Sequence, residues 1–372
     1  MRWEKVDIGT LVVLRQGFAI NKNTKHYISD EHTNLPLLRI ADMKDETKNV
    51  FVKDTIPKRF IARPDDIIYT RTGQVGLVFT KLFGVVHNNC FTVSPIDEKV
   101  LSRSYLYYAL KNKEFFEAAN LKATGAAQPD LPHGAFNTIP IYLPPIETQH
   151  RIADILSAYD DLIENNRKQI KLLEEAAQRL YKEWFVDLRF PGHEHTQIVD
   201  GVPEGWEKKQ LSDIVEVKYG KDHKSIPDGN VPVYGSGGLM RKCNQMLYKG
   251  ESVLIPRKGS LNNFIYVDEA FWTVDTMFYT KMKWPNIGVF IYYFIKSFDM
   301  YAMNIGAAVP SMTTNTLNSI NVIIPSCEIL KNFQSTTKVY FRKIELLKRQ
   351  IEMAAQARDR LLPKLMSGEV EE

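Results

Sequence analysis

The sequence is poor in cysteine and contains no long apolar run, and both absences narrow the class of protein. Its three cysteines, Cys90, Cys243 and Cys327, lie far apart, so we expect reduced thiols and a cytoplasmic location. No segment approaches the ~20 consecutive apolar residues that a membrane-spanning helix needs. The opening residues Met1-Arg2-Trp3-Glu4 lead directly into charged sequence, so we expect no signal peptide.

Motifs that carry enzyme chemistry are also missing. The chain has no G-x-x-x-x-G-K-[ST] phosphate loop, and residues 235–238 (Gly-Ser-Gly-Gly) lack the spacing of a dinucleotide-binding fingerprint and predict a turn. Residues 143–146 (Leu-Pro-Pro-Ile) have the prolines of an amino-methyltransferase motif but not its polar residue. His193 and His195 have no third ligand nearby, which favours a solvated loop over a metal site. We therefore expect no catalytic residue and no metal.

The composition describes a globular chain with a slight excess of positive charge. Its 372 residues are 44% hydrophobic and 25% charged, with a formal net charge of +4. This length is sufficient for two or three domains. The basic balance suits an acidic partner such as nucleic acid, but many proteins that bind no nucleic acid are equally basic. Charge alone therefore does not decide the function.

The chain is internally duplicated. Trp3-Glu4-Lys5 recurs as Trp206-Glu207-Lys208, and this spacing, the opening offset, also relates Ile8 to Leu211 and Gly17 to Gly220. The Gly-Ala-Ala of residues 125–127 recurs at 306–308, and this shorter spacing, the closing offset, also relates Ile139 to Ile320 and Pro144 to Pro325. The segments between these matches share little. A repeated frame around two divergent interiors predicts two similar domains that make different contacts.

Each copy predicts a mixed α/β domain followed by a long helix. Short β-branched and aromatic runs, such as residues 67–69 and 253–255, alternate with the Gly, Pro, Asn and Asp clusters that are typical of turns. Helices are predicted for residues 102–121 and near 288–301. We place the domain boundaries as follows: first domain 1–145, its helix 146–194, second domain 195–325, its helix 326–372.

Both long helices carry a heptad stripe. Residues 147–190 contain neither Gly nor Pro, and stripe residues recur in steps of four and three: Ile152, Leu156, Tyr159, Ile163, Asn166, Ile170, Leu173, Ala177, Leu180 and Trp184. The second helix repeats this register with Phe333, Thr337, Tyr340, Ile344, Leu347, Ile351, Ala354, Leu361 and Leu365, and Arg358 interrupts it. One stripe would be explained by packing on its own domain, but two after equivalent domains predict a mutual coiled coil.

An antiparallel pairing of these helices would place the two domains at opposite ends of a rod. The span from Ile152 to Trp184 is roughly 50 Å at ~1.5 Å per residue, which exceeds the roughly 34–36 Å of one turn of B-DNA. Asn166 would fix the register if it is buried, and a solvated position is the alternative. Charges of both signs alternate on the helix surface, so we expect the rod to space and dock other parts and not to lie on DNA.

Three features carry a resemblance to a known family. Residues 202–207 (Val-Pro-Glu-Gly-Trp-Glu) with 211–214 (Leu-Ser-Asp-Ile) are similar to its domain-opening motif, and residues 141–156 are similar to its junction into a central conserved helix. With the duplicated layout, they resemble the specificity subunit of type I restriction-modification systems over essentially the whole chain. Thr148 replaces the family's Glu, and the second junction at 326–330 lacks the second proline and the glutamine. We therefore expect the second helix to begin or dock differently.

The resemblance implies an α+β fold in which two similar mixed α/β target recognition domains are separated by a two-helix antiparallel coiled coil, with a pseudo-two-fold internal repeat. It implies that each domain reads one half of a bipartite, asymmetric site in double-stranded DNA. The helices would set the spacing and dock two methyltransferase subunits, and restriction/translocase subunits would join them. S-adenosylmethionine, ATP and Mg would bind those partners, so the complex would be an adenine-N6 methyltransferase and ATP-dependent endonuclease while this chain is non-catalytic.

The residue types also suggest where DNA would be contacted. Base edges are read by Arg, Lys, Asn and Gln, whereas phosphates need only cations and backbone amides. Residues 71–74 (Arg-Thr-Gly-Gln) and 257–260 (Arg-Lys-Gly-Ser) each follow a predicted strand, and their glycines permit a tight turn. We predict DNA contacts by Arg71, Gln74, Arg257 and Lys258, with a charged surface hairpin as the alternative. Weaker candidates are Arg39, Lys44, Gln128, Tyr234, Arg241 and Lys242, and the predicted phosphate anchors are Lys218, Lys221 and Lys224.

Two other functions stay open on the sequence. The chain could be a coiled-coil protein-interaction scaffold without sequence-specific DNA binding, which salt-dependent binding to DNA would exclude. It could also be a self-sufficient nuclease or methyltransferase. Absence of S-adenosylmethionine, ATP and metal binding by the pure chain would exclude that function.

Overall fold

The computed structural model describes residues 3–302 and 312–370. They divide into two compact units: unit 1 comprises Met1–Asn166 with Gln350–Glu372, and unit 2 comprises Arg167–Arg349. Unit 1 contains a mixed α/β lobe up to residue 145, lobe 1, and unit 2 contains a second, lobe 2, over 195–325. Each unit also holds part of both long helices. Met1-Arg2 and the second Gly-Ala-Ala repeat at 306–308 lie outside the described residues.

Lobe 1 is built from short strands and short helices. Its strands are β1 (Lys5–Asp7), β2 (Val12–Gln16), β3 (Ile28–Ser29), β4 (Leu37–Leu38), β5 (Phe51–Val52), β6 (Ile61–Ala62), β7 (Ile67–Thr70), β8 (Val78–Phe79), β9 (Gly84–Val86), β10 (Cys90–Pro95) and β11 (Pro140–Tyr142). Its helices are α1 (Ile40–Asp45), α2 (Arg103–Lys111), α3 (Lys113–Lys122) and α4 (His133–Asn137). A four-stranded sheet has the order β2-β10-β7-β8, and β1 pairs antiparallel with β11.

The core of lobe 1 is aromatic and extends onto the long helices. The ring of Tyr69 lies 5.5 Å from that of Phe91 and 5.1 Å from that of Phe136, measured between centroids. The same buried cluster contains Leu156 of the first long helix and Leu365 of the second. Apolar side chains of both long helices therefore pack on this lobe.

The predicted helix over 102–121 is two helices, so that prediction was wrong in detail. Asn112 has extended backbone angles (φ −62°, ψ 138°) and separates α2 from α3. Its N–H donates to the carbonyl of Ala109, and its own carbonyl accepts from the N–H of Phe116. Asn112 therefore ends one helix and begins the next. An apolar periodicity that continues across this residue does not reveal the change of direction.

Lobe 2 repeats this scheme with longer strands. Its strands are β12 (Ile198–Val199), β13 (Val202–Pro203), β14 (Glu207–Gln210), β15 (Val215–Tyr219), β16 (Asp228–Gly235), β17 (Gly238–Cys243), β18 (Tyr248–Pro256), β19 (Ile265–Thr273), β20 (Met277–Met282) and β21 (Asn321–Ile324). Its helices are α6 (Leu211–Ile214), α7 (Gly288–Lys296) and α8 (Thr314–Asn318). A six-stranded sheet has the order β15-β20-β18-β19-β16-β17, and residues 236–237 form the turn expected from the glycines.

The duplication seen in the sequence is also a duplication of strand register. In lobe 1, β1 and β11 pair Lys5 with Tyr142, and the Ile8 N–H donates to Ile139 O at 3.0 Å. In lobe 2, β14 and β21 pair Lys208 with Ile323, and the Leu211 N–H donates to Ile320 O at 2.8 Å. The opening offset relates Lys5 to Lys208 and Ile8 to Leu211. The closing offset relates their partners, Tyr142 to Ile323 and Ile139 to Ile320. The repeated residues therefore occupy equivalent backbone positions.

The two long helices are α5 (Ile146–Tyr181), which continues into a π-helical turn at Lys182–Val186, and α9 (Cys327–Ser367). Both begin at equivalent positions, because the closing offset relates Ile146 to Cys327. Of the expectation that the second helix begins or docks differently, the first half was therefore wrong, whereas its anchoring glutamine does lie one turn later. No helix of the described ranges has the length and apolar content to cross a membrane.

The two helices run in opposite directions within each unit. In unit 1, Asp160 of α5 is ion-paired with Arg358 of α9, and Asn166 contacts the earlier residue Gln350. In unit 2, the ring of Tyr181 lies 6.3 Å from that of Phe333, and the later residue Tyr340 lines a cavity with the earlier residue Leu172. The antiparallel two-helix arrangement and the α+β class are thus confirmed. The helices pack on one another and on the lobes. The stripes therefore reflect both a mutual coiled coil and packing of each helix on a lobe.

Candidate nucleic-acid interface

The backbone around Arg71 in lobe 1 matches the backbone around Arg257 in lobe 2. In lobe 1, the matched hydrogen bonds are Gly17 N to Cys90 O (3.1 Å), Arg71 N to Asn89 O (2.8 Å) and Leu131 N to Arg71 O (3.0 Å). In lobe 2, they are Gly220 N to Met277 O (2.9 Å), Arg257 N to Thr276 O (2.8 Å) and Met312 N to Arg257 O (3.0 Å). Both arginines therefore follow the central strand of an equivalent frame.

The turns that follow these arginines also match. Gly73 has φ +83° and Gly259 has φ +81°. Residues with a Cβ atom rarely adopt this backbone conformation. The side chains of Gln74 and Lys258 in these turns are exposed. Each turn thus holds a polar side chain in solvent at the end of a buried strand, an exposure that a DNA-contact loop and a charged surface hairpin share.

Arg71 is held by side chains that are distant in sequence. Its Nη2 lies 2.6 Å from the Asp130 carboxylate, and its Nη1 donates to Gln16 Oε1 at 3.2 Å. The Thr72 hydroxyl donates to the other oxygen of Asp130 at 2.5 Å. Burial alone would raise the pKa of Asp130, but the hydrogen bonds from Thr72 and Arg71 outweigh it and hold that pKa below its usual range. Asp130 is therefore a carboxylate at neutral pH.

The other candidates of lobe 1 lie in different environments. Lys44 Nζ is 3.5 Å from Gln74 Oε1, so these two exposed side chains lie together at the turn. Gln128 is exposed on the loop that leads to Asp130. Arg39 is instead paired with the buried Asp42 at 2.6 Å. Arg39, at the residue before helix α1, is therefore paired with a carboxylate of that helix.

A histidine lies beside this network without adding charge to it. Burial lowers the pKa of His133, and the positive charge of Arg71 lowers it further. Because the usual pKa of histidine is close to 6.5, His133 is mostly neutral at pH 7. His133 therefore adds little positive charge beside Arg71 at this pH.

Arg257 has a different set of neighbours. Its guanidinium carbon lies 5.1 Å from the centroid of the Tyr219 ring and 5.6 Å from that of Phe278. Its Nη1 donates to the main-chain carbonyl of Asp275 at 3.1 Å. Within 3–302 and 312–370, no carboxylate is ion-paired with it. The positive charge of Arg257 is thus not compensated by a carboxylate in these ranges, unlike that of Arg71.

Two of the weaker candidates in lobe 2 are engaged inside the protein. Arg241 is paired with Asp228 at 2.8 Å and donates to the carbonyls of His223 and Ile226. The Tyr234 hydroxyl donates to Glu269 at 3.1 Å, and burial together with that carboxylate raises the pKa of Tyr234. Lys242 is exposed on β17. Arg241 therefore holds a loop in this structure.

The three predicted phosphate anchors lie on β15 and the loop after it. Lys218 is paired with Glu216 at 2.6 Å. Lys221 and Lys224 are exposed, and neither makes an ion pair within the described ranges. The Trp272 indole donates to the carbonyl of Lys221 at 3.0 Å, which fixes this part of the loop. Lys221 and Lys224 are thus the two that remain open to a phosphate.

The predicted coiled-coil residues are all at least half-buried. The buried ones are Ile152, Leu156, Ile163, Asn166, Phe333, Ile344 and Leu347, and the half-buried ones are Tyr159, Ile170, Leu173, Leu180, Tyr340, Ile351 and Leu361. The Asn166 amide donates to Gln350 Oε1 at 3.3 Å. Arg358, which interrupts the stripe, pairs with Asp160, and Asp160 also accepts from Tyr108 at 2.9 Å.

The sequence did not reveal the side chains that anchor each long helix to its lobe. The buried Gln149 accepts from the Ser102 N–H at 2.8 Å and donates to two carbonyls at 2.9 Å. In unit 2, the buried Gln334 accepts from the Val289 N–H at 3.2 Å. Both bonds lie at the start of a lobe helix, α2 in lobe 1 and α7 in lobe 2. Gln334 therefore takes the part of the glutamine that is absent from the second junction, one helical turn later. An alignment of the two copies at the closing offset pairs Gln149 with Leu330 and so misses Gln334, which lies one turn later and makes the equivalent bond.

The structure offers little for chemistry. Within the described ranges, no group of three or more His, Cys, Asp or Glu side chains is arranged to hold a metal ion. His193 contacts the Phe190 carbonyl through Nδ1 at 2.9 Å. Two similar lobes with different exposed polar groups, both packed on a shared pair of helices, define a duplicated recognition subunit.

Comparison with known proteins gives the particular family. The family described as type I restriction modification DNA specificity domain matches residues 1–175 and 203–355, and the chain belongs to it. The resemblance drawn from the sequence is thus confirmed, and this identity supports sequence-specific DNA recognition. Specificity subunits of this family are non-catalytic.

Curated relatives and a solved structure agree with this assignment. The chain is 28% identical to the MjaIX specificity subunit of Methanocaldococcus jannaschii, over 82% of this chain and 77% of the relative. It is 25% identical to the MjaVIII specificity subunit of the same organism, over 99% of this chain and 93% of that relative. The crystal structure of a type I S subunit from M. genitalium covers 98% of this chain and 96% of its own, with 20% identity and a TM-score of 0.67. That last likeness shows the shared fold.

Proposed function

We propose that each lobe reads one half of a bipartite, asymmetric site in double-stranded DNA. The observation that supports this most is the matched backbone frame around Arg71 and Arg257, combined with unlike side chains at the equivalent positions 16 and 219. A common frame presents each lobe to the duplex in the same way, while different polar groups select different bases. In this proposal the paired helices set the spacing between the two half-sites.

The helices also have surface available for docking. Beyond the buried stripe, α9 exposes Val339 (60%) and Leu346 (56%) in unit 2, and Met353 (70%) in unit 1, at heptad intervals. Leu172 of α5 is 64% exposed in unit 2. Large apolar side chains that recur at heptad spacing on a solvent face are typical of a helix that receives a partner. We assign this face to two methyltransferase subunits, which restriction/translocase subunits then join.

The complex, and not this chain, would carry the reactions. We propose that S-adenosylmethionine, ATP and Mg bind the partner subunits, and that the assembly methylates adenine N6 and cleaves DNA with ATP in the cytoplasm. Calorimetric titration of the isolated chain with each of these ligands is expected to give no binding heat. Saturable binding of S-adenosylmethionine to the chain alone would contradict this division of labour.

The DNA proposal is tested by co-expression with the neighbouring methyltransferase subunit. We expect genome-wide mapping of adenine methylation to show a single two-part motif, with methyl groups on opposite strands. DNA binding by the complex should weaken steeply with salt, because phosphate contacts release counterions. A continuous motif, or no binding to DNA, would favour the protein-interaction scaffold instead.

The docking surface is tested by a pair of variants on α9. Leu346→Lys places a charge on the exposed face and is expected to reduce co-purification of the methyltransferase subunit at least tenfold. Glu345→Lys, one position away on the same helix, reverses an exposed charge outside the apolar row, breaks the surface pair of Glu345 with Lys348 and serves as the control. Equal loss of the partner in both variants would place docking elsewhere.

A further inference from the structure

The two matched arginines have matched backbones but different side-chain environments. The difference begins at one pair of equivalent positions, because the opening offset that relates Gly17 to Gly220 also relates Gln16 to Tyr219. In lobe 1, the Gln16 amide donates to the Asn88 carbonyl at 2.6 Å while its oxygen accepts from Arg71. In lobe 2, a tyrosine ring stands in its place. The arginine itself then reaches the equivalent carbonyl, that of Asp275.

Arg71 is occupied by contacts inside lobe 1. Its two terminal nitrogens bind Asp130 and Gln16, and its Nε is buried. Asp130 closes the loop of residues 124–130, because its N–H and C=O exchange two 2.8 Å hydrogen bonds with Thr124. The same loop is bound to the Arg71 turn by the Gly73 N–H, which donates to the Pro129 carbonyl at 2.8 Å. The Arg71–Asp130 pair therefore fixes this loop to the end of strand β7.

Arg257 is oriented but not neutralised. The Tyr219 and Phe278 rings hold its planar group, and one neutral carbonyl binds Nη1. Its Nε is buried, as in Arg71, and its Nη2 has no hydrogen-bond partner within residues 3–302 and 312–370. Lys258 beside it is exposed. A flat, rigidly held guanidinium with unpaired charge suits the two acceptors on the major-groove edge of guanine, N7 and O6.

We propose that Arg257 reads a guanine in the half-site of lobe 2, whereas Arg71 is a positioning residue that shapes the contact loop of lobe 1. This inference rests on the proposed reading of one half-site by each lobe. Asp130 and Gln16 act with Arg71, and the exposed tip of the loop, which includes Gln128, makes the contacts of lobe 1. The equivalent arginines thus perform different tasks.

The test compares Arg257→Lys with Arg71→Lys in the complex with the methyltransferase subunit, using the methylation motif as readout. Lysine keeps the charge but loses the two-pronged donor geometry. Arg257→Lys is expected to relax one guanine position in one half of the motif, with discrimination falling roughly 5- to 150-fold. Arg71→Lys is expected to leave the base preferences unchanged in both halves of the motif, because a lysine can still pair with Asp130 and hold the loop.

A second measurement follows the loop directly. Arg71→Met and Asp130→Asn should each increase hydrogen exchange of residues 124–130, and Arg71→Lys should restore most of the protection. Arg257→Met should leave exchange in the strands of lobe 2 unchanged, which also shows that this variant is folded.

Several results would overturn the inference. Loss of one base preference in Arg71→Lys would make Arg71 a reader. An unchanged motif in Arg257→Lys, or equal weakening at all sequences, would remove guanine reading and indicate a phosphate contact. A wild-type complex without a two-part motif would contradict the proposed function itself, a result that can be told apart from the others before any variant is made.

Discussion

Lobe 1 and lobe 2 share the same backbone pairing and differ in the side chains that this backbone exposes to solvent. The pairings of β1 with β11 and of β14 with β21 have the same register, yet one lobe has a four-stranded sheet and the other a six-stranded sheet. Repeated residues occupy positions where the backbone or the core restricts the choice of side chain. Positions that face solvent beside Arg71 and Arg257 are free of that restriction and have diverged.

The helix junctions show that the same contact can be made from different positions. Gln149 and Ala153 of α5 correspond to Leu330 and Gln334 of α9 at the closing offset. The buried glutamine has therefore exchanged places with an apolar residue one turn away, and it still binds the start of a lobe helix. Equivalent function in the two units does not require equivalent residues.

The largest effect is expected at the equivalent core positions Phe333 and Ile152. Phe333 is fully buried, with its ring 4.8 Å from that of Phe185 and 5.9 Å from that of Trp184. Phe333→Ala should lower the free energy of unfolding of unit 2 by about 4 kcal/mol, and Ile152→Ala should lower that of unit 1 by about 3 kcal/mol. Hydrogen exchange under increasing denaturant, followed separately in each lobe, measures both. Equal loss of protection in both lobes from one variant would show that they unfold together.

The next effect concerns the partly buried ion pair between Arg358, which interrupts the stripe in unit 1, and Asp160. Arg358→Met leaves the Asp160 carboxylate partly buried without its cation, and we expect a loss of about 2 kcal/mol. The equivalent position in unit 2 is Ala177, which is buried among apolar residues. The double variant Arg358→Met/Asp160→Leu should therefore recover most of the stability in thermal unfolding. A double variant as unstable as the single one would show that the pair itself, and not the unpaired charge, matters.

A similar comparison applies to the two glutamines. Gln149→Leu removes three hydrogen bonds to main-chain groups, and Gln334→Leu removes one from the Val289 N–H and one to Glu251. Each should cost about 1–3 kcal/mol of unfolding free energy, with the larger loss in Gln149→Leu. Urea unfolding of the two variants side by side measures the difference. A loss confined to one of them would mean that the two anchors are not equivalent.

The smallest effect is expected for the exposed ion pairs of lobe 1. Lys81 pairs with Asp161 at 3.3 Å and with Glu164 at 2.9 Å, and all three side chains are well exposed. Lys81→Ala should change the unfolding free energy by about 0.5 kcal/mol or less, and salt should abolish the difference. Thermal melts at low and high salt check this. A larger, salt-independent loss would show that the Lys81 stem contributes packing.

The sequence predicted the features that depend on periodicity and repetition. The duplicated frame and the two long helices follow from offsets and heptads, because those patterns reflect local geometry. The antiparallel direction of the helices came from the family resemblance, since a heptad pattern alone does not fix it. The break at Asn112 was missed, since one polar residue within a helical pattern does not reveal a change of direction. The partners of Arg71 were missed for another reason. Gln16 and Asp130 are far from it in the chain, and only the folded backbone brings them together.

The central claim is that two lobes with one frame read two different half-sites. The most direct test replaces residues 200–325 with the equivalent domain of a relative and maps adenine methylation by the resulting complex across a genome. The account predicts that one half of the two-part motif changes while the other half keeps its sequence. A change in both halves, or in neither, would contradict it.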